Sequence, residues 1–387
     1  MVPKFTIKLF PLSPIHVGNW QKNLHKNIDF IVHHNMNHVI HEDKLFRQLV
    51  LRKKMDEFLI AAQTTKFDIK TFLVDKLSLN DNDLQQFLEE VKAYSCQSPT
   101  DIKGDYLPFI RDGYGKPFIP GTSIKGAIRT ATLYCALKEM LATNERLKSD
   151  LLTELSNNLN KPRRNPKELG NFLEKYFQNF VLDEWTSGDP HTDLFRAVEV
   201  QDVYLDDDII NVEEVTVSGM KKDKQQDTLN IYAECINSKK EISINLGINL
   251  WLFKQIGNSP KRGFPGSLFL GKYILQNAEN PEQLLTRLLE FCHTYAADSI
   301  PKEGAPISKE PYIFRLGWGT GIFSKTILSL IYNEVTGYDR DKLMRAVGAG
   351  SSEFPMTRKI VIQDGEKGEL GWARLEKVNA AESGSRA

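Results

Sequence analysis

Between Phe118 and Ala142 the chain changes its period within a few residues, and that change constrains the fold more than any other feature. Phe118-Ile119 is a short, strand-like apolar pair that runs through Pro120 into Gly121. From Ser123 onward, apolar residues recur at i, i+4, i+7 and i+11 (Ile124, Ile128, Ala131, Cys135), which is the stripe of a helix buried along one face. Other segments repeat the mixture. Phe5, Ile7 and Leu9 alternate with Lys4, Thr6 and Lys8, so the chain opens on a half-buried strand ended by Pro11 and Pro14. Residues 42–94 read as helical around a turn at Asn80–Asp83, and 144–180 as helical but interrupted by Lys-Pro-Arg-Arg-Asn-Pro (161–166).

Strand patterns dominate from Phe195 to Leu250. Phe195–Tyr204 and Asp208–Val217 read as strands, Lys221–Asp227 as a polar loop, and Leu229–Ile236 with Glu241–Leu250 as a hairpin. A helix over Leu284–Ala297, a loop over Pro301–Pro311, a strand over Tyr312–Leu316 and a helix over Phe323–Asn333 follow. Two strands, Arg358–Ile362 and Trp372–Leu375, close the chain. Strands interspersed with helices exclude all-α and all-β classes. Phe-Pro-Gly-Ser (264–267) echoes Phe-Ile-Pro-Gly-Thr-Ser (118–123), a hint of a duplicated strand-helix unit.

The chain has 387 residues, a length expected for two or three domains, and 41% hydrophobic residues are enough for real cores. Lys+Arg and Asp+Glu both number 50, which excludes a uniformly basic surface and leaves room for a local basic patch. Cys96, Cys135, Cys235 and Cys292 lie far apart with no C-x-x-C pair, so neither a zinc ribbon nor a disulfide scaffold is expected. The N-terminus lacks a signal-peptide pattern and no apolar run is long enough to span a bilayer; a cytoplasmic protein without membrane contact is expected. The small polar tail 380–387 stands outside the fold reasoning.

Two segments carry candidate chemistry. In Pro120–Arg129, Gly121 supplies a turn, Thr122 or Ser123 an N-cap, and Lys125 and Arg129 lie on one face just inside the helix start. A helix N-terminus beside two cations is suited to phosphate, or is simply a solvated helix start. It is not a P-loop, since Ala127-Ile128 follows Gly126 where that motif needs Lys-Ser/Thr. In Arg315–Lys325, Gly317, Gly319 and Gly321 let backbone approach a ligand closely. Trp318 either stacks on a base or belongs to the core, and Arg315 and Lys325 are placed to hold phosphates. His16, in Leu-Ser-Pro-Ile-His-Val-Gly (12–18), is a candidate base or phosphate contact. His33, His34, His38 and His41 form a histidine tract that no cysteine or spaced carboxylate completes, so a polar hairpin is expected and no metal. Asp189-Pro-His191-Thr-Asp193 reads as a turn and Asp206–Asp208 as a hairpin tip.

These segments together resemble the RAMP superfamily of CRISPR-associated proteins. With the Arg196–Asp202 strand, Trp318-Gly-Thr-Gly, Pro355-Met-Thr-Arg358 and Leu370-Gly-Trp372, they are similar to the subunits that cap type III-A (Csm) effector complexes near the crRNA 3′ end. The resemblance implies an α+β fold of tandem ferredoxin-like, RRM-related modules. One would cover 1–215, with helical insertions at about 42–95 and 140–185, and a second 216–379. It implies a non-catalytic subunit needed for assembly and crRNA 3′-end maturation, without cofactor or metal. Its partners would be crRNA, the backbone RAMP subunits and the small subunit, with target RNA met only indirectly. The RNA-binding residues would be His16, Gly121, Ser123, Lys125, Arg129, Arg315, Gly317, Trp318, Gly319, Gly321 and Lys325. The alternative is a metal-independent RAMP endoribonuclease that cuts precursor crRNA with His16 as base and Lys125 stabilising the oxyanion. One departure stands out: Val203 follows Asp202 where family members often carry serine.

Overall fold

The computed structural model of the chain describes residues 2–18, 23–98, 102–160, 193–221, 224–237, 240–258, 265–298, 312–335, 337–346, 357–363 and 366–378. Its architecture is α+β, as expected. Strands and helices are numbered here in chain order. One sheet has the order β12 (Ile313–Arg315), β15 (Trp372–Lys377), β1 (Lys4–Pro11), β11 (Ile242–Ile248), β7 (Val198–Val200), all neighbours antiparallel. Ile7 and Leu9 are fully buried while Lys4 is exposed, so the first strand does alternate. Over this sheet lies α5 (Gly121–Thr143), whose Ile124, Ile128, Ala131 and Cys135 are buried as the stripe predicts. Its second half is buried on further faces too, through Leu133, Tyr134, Leu137 and Met140, because the helix Pro281–Asp298 packs against it. Each fully buried aliphatic side chain of this kind contributes about 1.5–3 kcal/mol.

A second sheet runs β14 (Glu366–Glu369), β13 (Thr357–Gln363), β9 (Ile210–Lys221), β4 (Lys92–Gln97), β3 (Met36–Ile40), β2 (Phe30–His33). Along its other edge β9 pairs with β10 (Lys224–Ile236), which also meets β5 (Tyr106–Leu107). A small third pair joins β6 (Phe118–Ile119) to β8 (Val203–Tyr204). The helical segment after β3 is four helices, α1 (Glu42–Leu51), α2 (Met55–Ala62), α3 (Ile69–Leu77) and α4 (Asp81–Val91). They form their own core of Leu49, Phe58, Phe72, Leu84 and Phe87 against Ile31 and Ile40 of the β2–β3 hairpin. Asn80 is the N-cap of α4, accepting from the Asp83 amide at 3.0 Å, so the predicted turn is also a helix start. After α5 comes α6 (Glu145–Asn160). Among the described residues no helix is long and apolar enough to cross a membrane.

Four expectations are corrected. Leu229–Ile236 and Glu241–Leu250 do not form a hairpin: β10 belongs to the second sheet and β11 to the first. Of the expected loop Lys221–Asp227, Lys221 and Lys224–Asp227 are strand instead, because β9 and β10 stay paired from Ile210↔Ile236 out to Lys221↔Lys224, with one irregularity at Asp227/Leu229; residues 222–223 lie outside the described residues. Cross-strand hydrogen bonds override the weak strand propensity of that Lys/Gln-rich stretch. The helix expected from Phe323 begins at Leu328, because Gly-rich turns carry the chain through 317–327. Asp206–Asp208 is no hairpin tip but leads through a 3-10 turn into β9, with Asp207 paired to Arg111 and Asp208 to Lys240. The expected boundary at 215 falls inside β9, and β1 lies between β11 and β15. Residues 161–166, 189–192, 301–311, 355–356 and 380–387 lie outside the described residues.

Candidate nucleic-acid interface

The segment that follows β1 and the glycine-rich loop are joined at His16 and Trp318. The Trp318 amide donates to the His16 carbonyl at 2.7 Å. Gly317 makes this possible: its φ is +89°, and a Cβ there would lie 2.2 Å from the same carbonyl oxygen. His16 itself is buried, edge-on to Phe109 and Trp318. Its Nδ1 lies 2.6 Å from the Glu234 carbonyl, which can only accept, so Nδ1 carries the proton and Nε2 is bare in the neutral ring.

Burial pushes His16 down to about 4, with nearby Lys325 adding to the shift and the Glu234 carbonyl opposing it. The folded protein thus keeps His16 neutral where the unfolded chain, near 6.5, would protonate. This contribution to stability is complete above the unfolded value and is lost as pH falls toward 4. Denaturation of wild type and His16→Asn at a series of pH values checks it. The stability difference is expected to change by up to about 3 kcal/mol across that window. A difference independent of pH would show that His16 is not held neutral.

Beside this junction opens a groove of about 680 Å³, within the range of ligand pockets. One wall is the face of α5 that carries Ser123, Gly126, Ala127 and Thr130, spaced i, i+3, i+4 and i+7. The other is the loop with Gly317, Trp318, Thr320, Ser324 and Lys325, and His16 and Gly18 close the end. The lining combines small residues, hydroxyls and the aliphatic Val17, Leu107 and Leu316 with the His16 and Trp318 rings, the Lys325 ammonium and part of Arg315. Among the described residues no carboxylate pairs with the Lys325 ammonium. Partial desolvation and the like charges of Lys359 and Arg315 hold it below the usual lysine range. Lys359 sits over the Trp318 ring, 4.8 Å from its centroid. A neighbourhood of unneutralised cations beside hydroxyl donors is suited to an anionic backbone.

Of the residues singled out in the sequence, His16, Ser123, Arg315, Gly317, Trp318 and Lys325 meet at the groove. Trp318 is half-buried against the cluster that holds Val215 and Leu370, and its remaining surface lines the groove. Gly319 and Gly321 shape the loop, both with positive φ, without lining the groove. Arg315 is mostly buried under the floor: its guanidinium pairs with Glu369 at 2.9 Å, donates to the Leu370 carbonyl and lies over Trp372. Lys125 and Arg129 lie on another flank of α5. There Arg129 pairs with Asp193 at 2.9 Å and Lys125 feels Asp193 and Glu199.

The helix start also differs from expectation. Neither Thr122 nor Ser123 caps it; Pro120 is the N-cap residue, and the Gly121 amide donates to Asp202 Oδ1 at 2.7 Å. The anionic partner of this helix N-terminus is therefore the protein's own carboxylate. Gly121 has no unusual φ; it is required because a Cβ would lie 2.2 Å from the Val200 carbonyl oxygen. Gly126, Thr130, Thr320, Ser324 and Lys359 were missed. The i, i+3, i+4, i+7 run of small and hydroxyl residues from Ser123 was the available signal on the helix; none pointed to Lys359, which arrives from β13.

The sequence profile of the RAMP superfamily matches residues 9–324. A curated relative from Streptococcus thermophilus, CRISPR system Cms protein Csm5, is 28% identical over 214 residues, 51% of each chain. The protein of that name from Enterococcus italicus is 27% identical over 146 residues, 33% of this chain and 42% of the relative. The matched region thus spans about half the length, or less, of these curated relatives. Among solved structures, a chain of a Csm–crRNA–target RNA ternary complex of a type III-A CRISPR-Cas system superposes with a TM-score of 0.72 at 22% identity. That superposition covers 96% of this chain and 100% of the other. Csm5 of T. onnurineus superposes with a TM-score of 0.64 at 20% identity, over 95% and 99%. At these identities the likeness is one of fold.

Proposed function

The chain belongs to the RAMP superfamily, and from that premise we propose that it is the Csm5-type subunit of a type III-A effector complex, binding crRNA near its 3′ end. In this role it caps the row of backbone RAMP subunits, contacts the small subunit, supports 3′-end maturation of the crRNA, and meets target RNA only through the complex. Its place of work is the cytoplasm. The naming of the curated relatives supports the assignment, as does the likeness along almost the whole chain to a subunit of a crRNA-bound complex.

The observation that carries RNA binding is the groove between α5 and the glycine-rich loop. Gly126 lies in the interior of a helix, where glycine costs roughly 1 kcal/mol relative to alanine. Open space lies ahead of it among the described residues, so no packing demand from them explains it. A helix backbone bared beside Ser123, Thr130 and the Lys325 ammonium suits close approach of a sugar–phosphate chain. Contacts of this kind are independent of base identity, as a subunit that accepts any guide requires.

The endoribonuclease alternative is not favoured. A general base works best with a pKa near the operating pH, and His16, at about 4, is a weak base. Lys125, the proposed oxyanion stabiliser, is absent from the groove lining.

Lys325→Glu is expected to weaken binding of single-stranded guide RNA about 10-fold and to lower the slope of log affinity against log salt by roughly 0.7–1. The doubly reversed Lys125→Glu/Arg129→Glu chain is expected to lose folding stability first, because it breaks the Arg129–Asp193 pair. Filter binding of both variants across a salt series, with thermal melts, separates the two. Unchanged affinity in a folded Lys325→Glu protein would remove the groove from the RNA path.

A further inference from the structure

The histidine tract acquires a carboxylate that the linear sequence conceals. His33 ends β2 and His34 begins the turn into β3, where His34 and Asn35 both have positive φ. Their rings stack with centroids 4.0 Å apart. Asp81, in the first turn of α4, lies between them: Oδ2 is 2.9 Å from His34 Nε2 and Oδ1 is 3.6 Å from His33 Nε2. With one ligand atom from each, His33, His34 and Asp81 are the one His/Cys/Asp/Glu group among the described residues with metal-binding spacing, those atoms lying within 4.8 Å of one another.

His33 supplies a second, independent observation. Its side chain is 4% exposed, yet Nε2 makes no hydrogen bond among the described residues. A buried imidazole nitrogen held 3.6 Å from a carboxylate gains an electrostatic contact but no hydrogen bond, and an ion between the two would supply the missing bond. Zinc–nitrogen and zinc–oxygen bonds of about 2.0–2.1 Å give a tetrahedral ligand–ligand edge of roughly 3.3 Å. The observed 2.9 and 3.6 Å bracket that edge.

We propose that His33, His34 and Asp81 bind a single divalent transition-metal ion of the zinc class, clamping the β2–β3 hairpin to the start of α4. Two imidazoles and a carboxylate are a zinc-type donor set, and the fourth position is open to water or to a donor from outside the chain. The clamp would fix the four-helix segment relative to the second sheet, since α4 leads directly into β4 of that sheet. His38, buried one strand away, takes no part; its Nδ1 lies near Ser95 and Glu89.

The full-length chain, stripped with EDTA and dialysed, is titrated with Zn²⁺ by calorimetry and followed by thermal melting. One Zn²⁺ per chain and a rise in Tm with Zn²⁺ concentration are expected, since an ion that binds only the folded state stabilises it. His34→Ala and Asp81→Asn alter side chains that are 61% and 66% exposed, so both variants should fold. Each is expected to weaken Zn²⁺ binding at least ~10-fold, the loss that even a supporting residue of a metal site causes. His41→Ala, at an exposed histidine of the same tract, should bind as wild type does. Absence of Zn²⁺ binding by wild type would overturn the proposal. So would equal binding by the folded His34→Ala and Asp81→Asn chains, or an equal loss in His41→Ala.

Discussion

Glu234→Ala is expected to destabilise the protein by about 3–5 kcal/mol, a large part of the total stability of an ordinary domain. Glu234 is fully buried in β10. Its Oε1 accepts from Tyr94 at 2.9 Å and Tyr106 at 3.1 Å, its Oε2 from the Phe109 amide at 2.9 Å, and the Arg111 guanidinium lies 3.8 Å away. Asn37 extends the network by donating to Tyr106. Burial raises the Glu234 pKa despite Arg111 and these donors, so the carboxylate is not itself a source of net stability. Removing it alone is costly because it strands three buried donors and leaves Arg111 with Asp207 as its one remaining carboxylate among the described residues. The double variant Glu234→Leu/Arg111→Met should therefore be less destabilised than the two single changes added together. Urea denaturation of the full cycle measures this, and strict additivity would show that the network carries no coupling. The network also reaches the groove, since the Glu234 carbonyl holds His16 and Phe109 packs on its ring.

Gly317→Ala is the second large effect. A side chain at φ +89° carries roughly 1–3 kcal/mol of backbone strain. The added Cβ would also lie 2.2 Å from the His16 carbonyl oxygen, which cannot retreat without releasing the Trp318 amide. The loop should detach from the His16 segment, with a further overpacking cost of about 1–3 kcal/mol and loss of RNA binding. Gly126→Ala is expected to do the reverse to the fold. It lies in α5 facing open space, so alanine should stabilise the helix by about 0.5–1 kcal/mol while its methyl group obstructs the groove. Thermal melts and RNA binding of both variants check the pair. Gly126→Ala that binds RNA as tightly as wild type would mean that nothing approaches that backbone.

Much of the local structure was legible because it is set by short-range periodicity. The alternation of β1 and the Ile124–Cys135 stripe of α5 each follow from which residues share a face, and both are seen. Strand pairing was not legible in the same way. The segments 229–236 and 241–250 are neighbours in sequence, but their hydrogen-bond partners are β9 and β1, brought near by the chain's return. The candidate site divides along the same line. The glycines at 317, 319 and 321 announce a backbone that other residues resist, whereas the destinations of charges are invisible until the fold is known. Lys125 and Arg129 share the predicted helix face, but that face looks toward Asp193 and Glu199. Arg315 is held by Glu369 from β14, and Asp81 reaches His33 and His34 from a helix that starts beyond three others.

The sequence by itself determined the class of fold, the family motifs and the two segments that flank the groove. These depend on side-chain periodicity, on glycine's freedom at positive φ, and on residues adjacent in the chain. Only the tertiary structure decided which cations remain unneutralised, which helix face bounds the groove, and which carboxylate completes the histidine pair. Electrostatic pairing and cavity shape depend on through-space distances of a few ångströms between segments far apart in sequence. No local pattern encodes those distances.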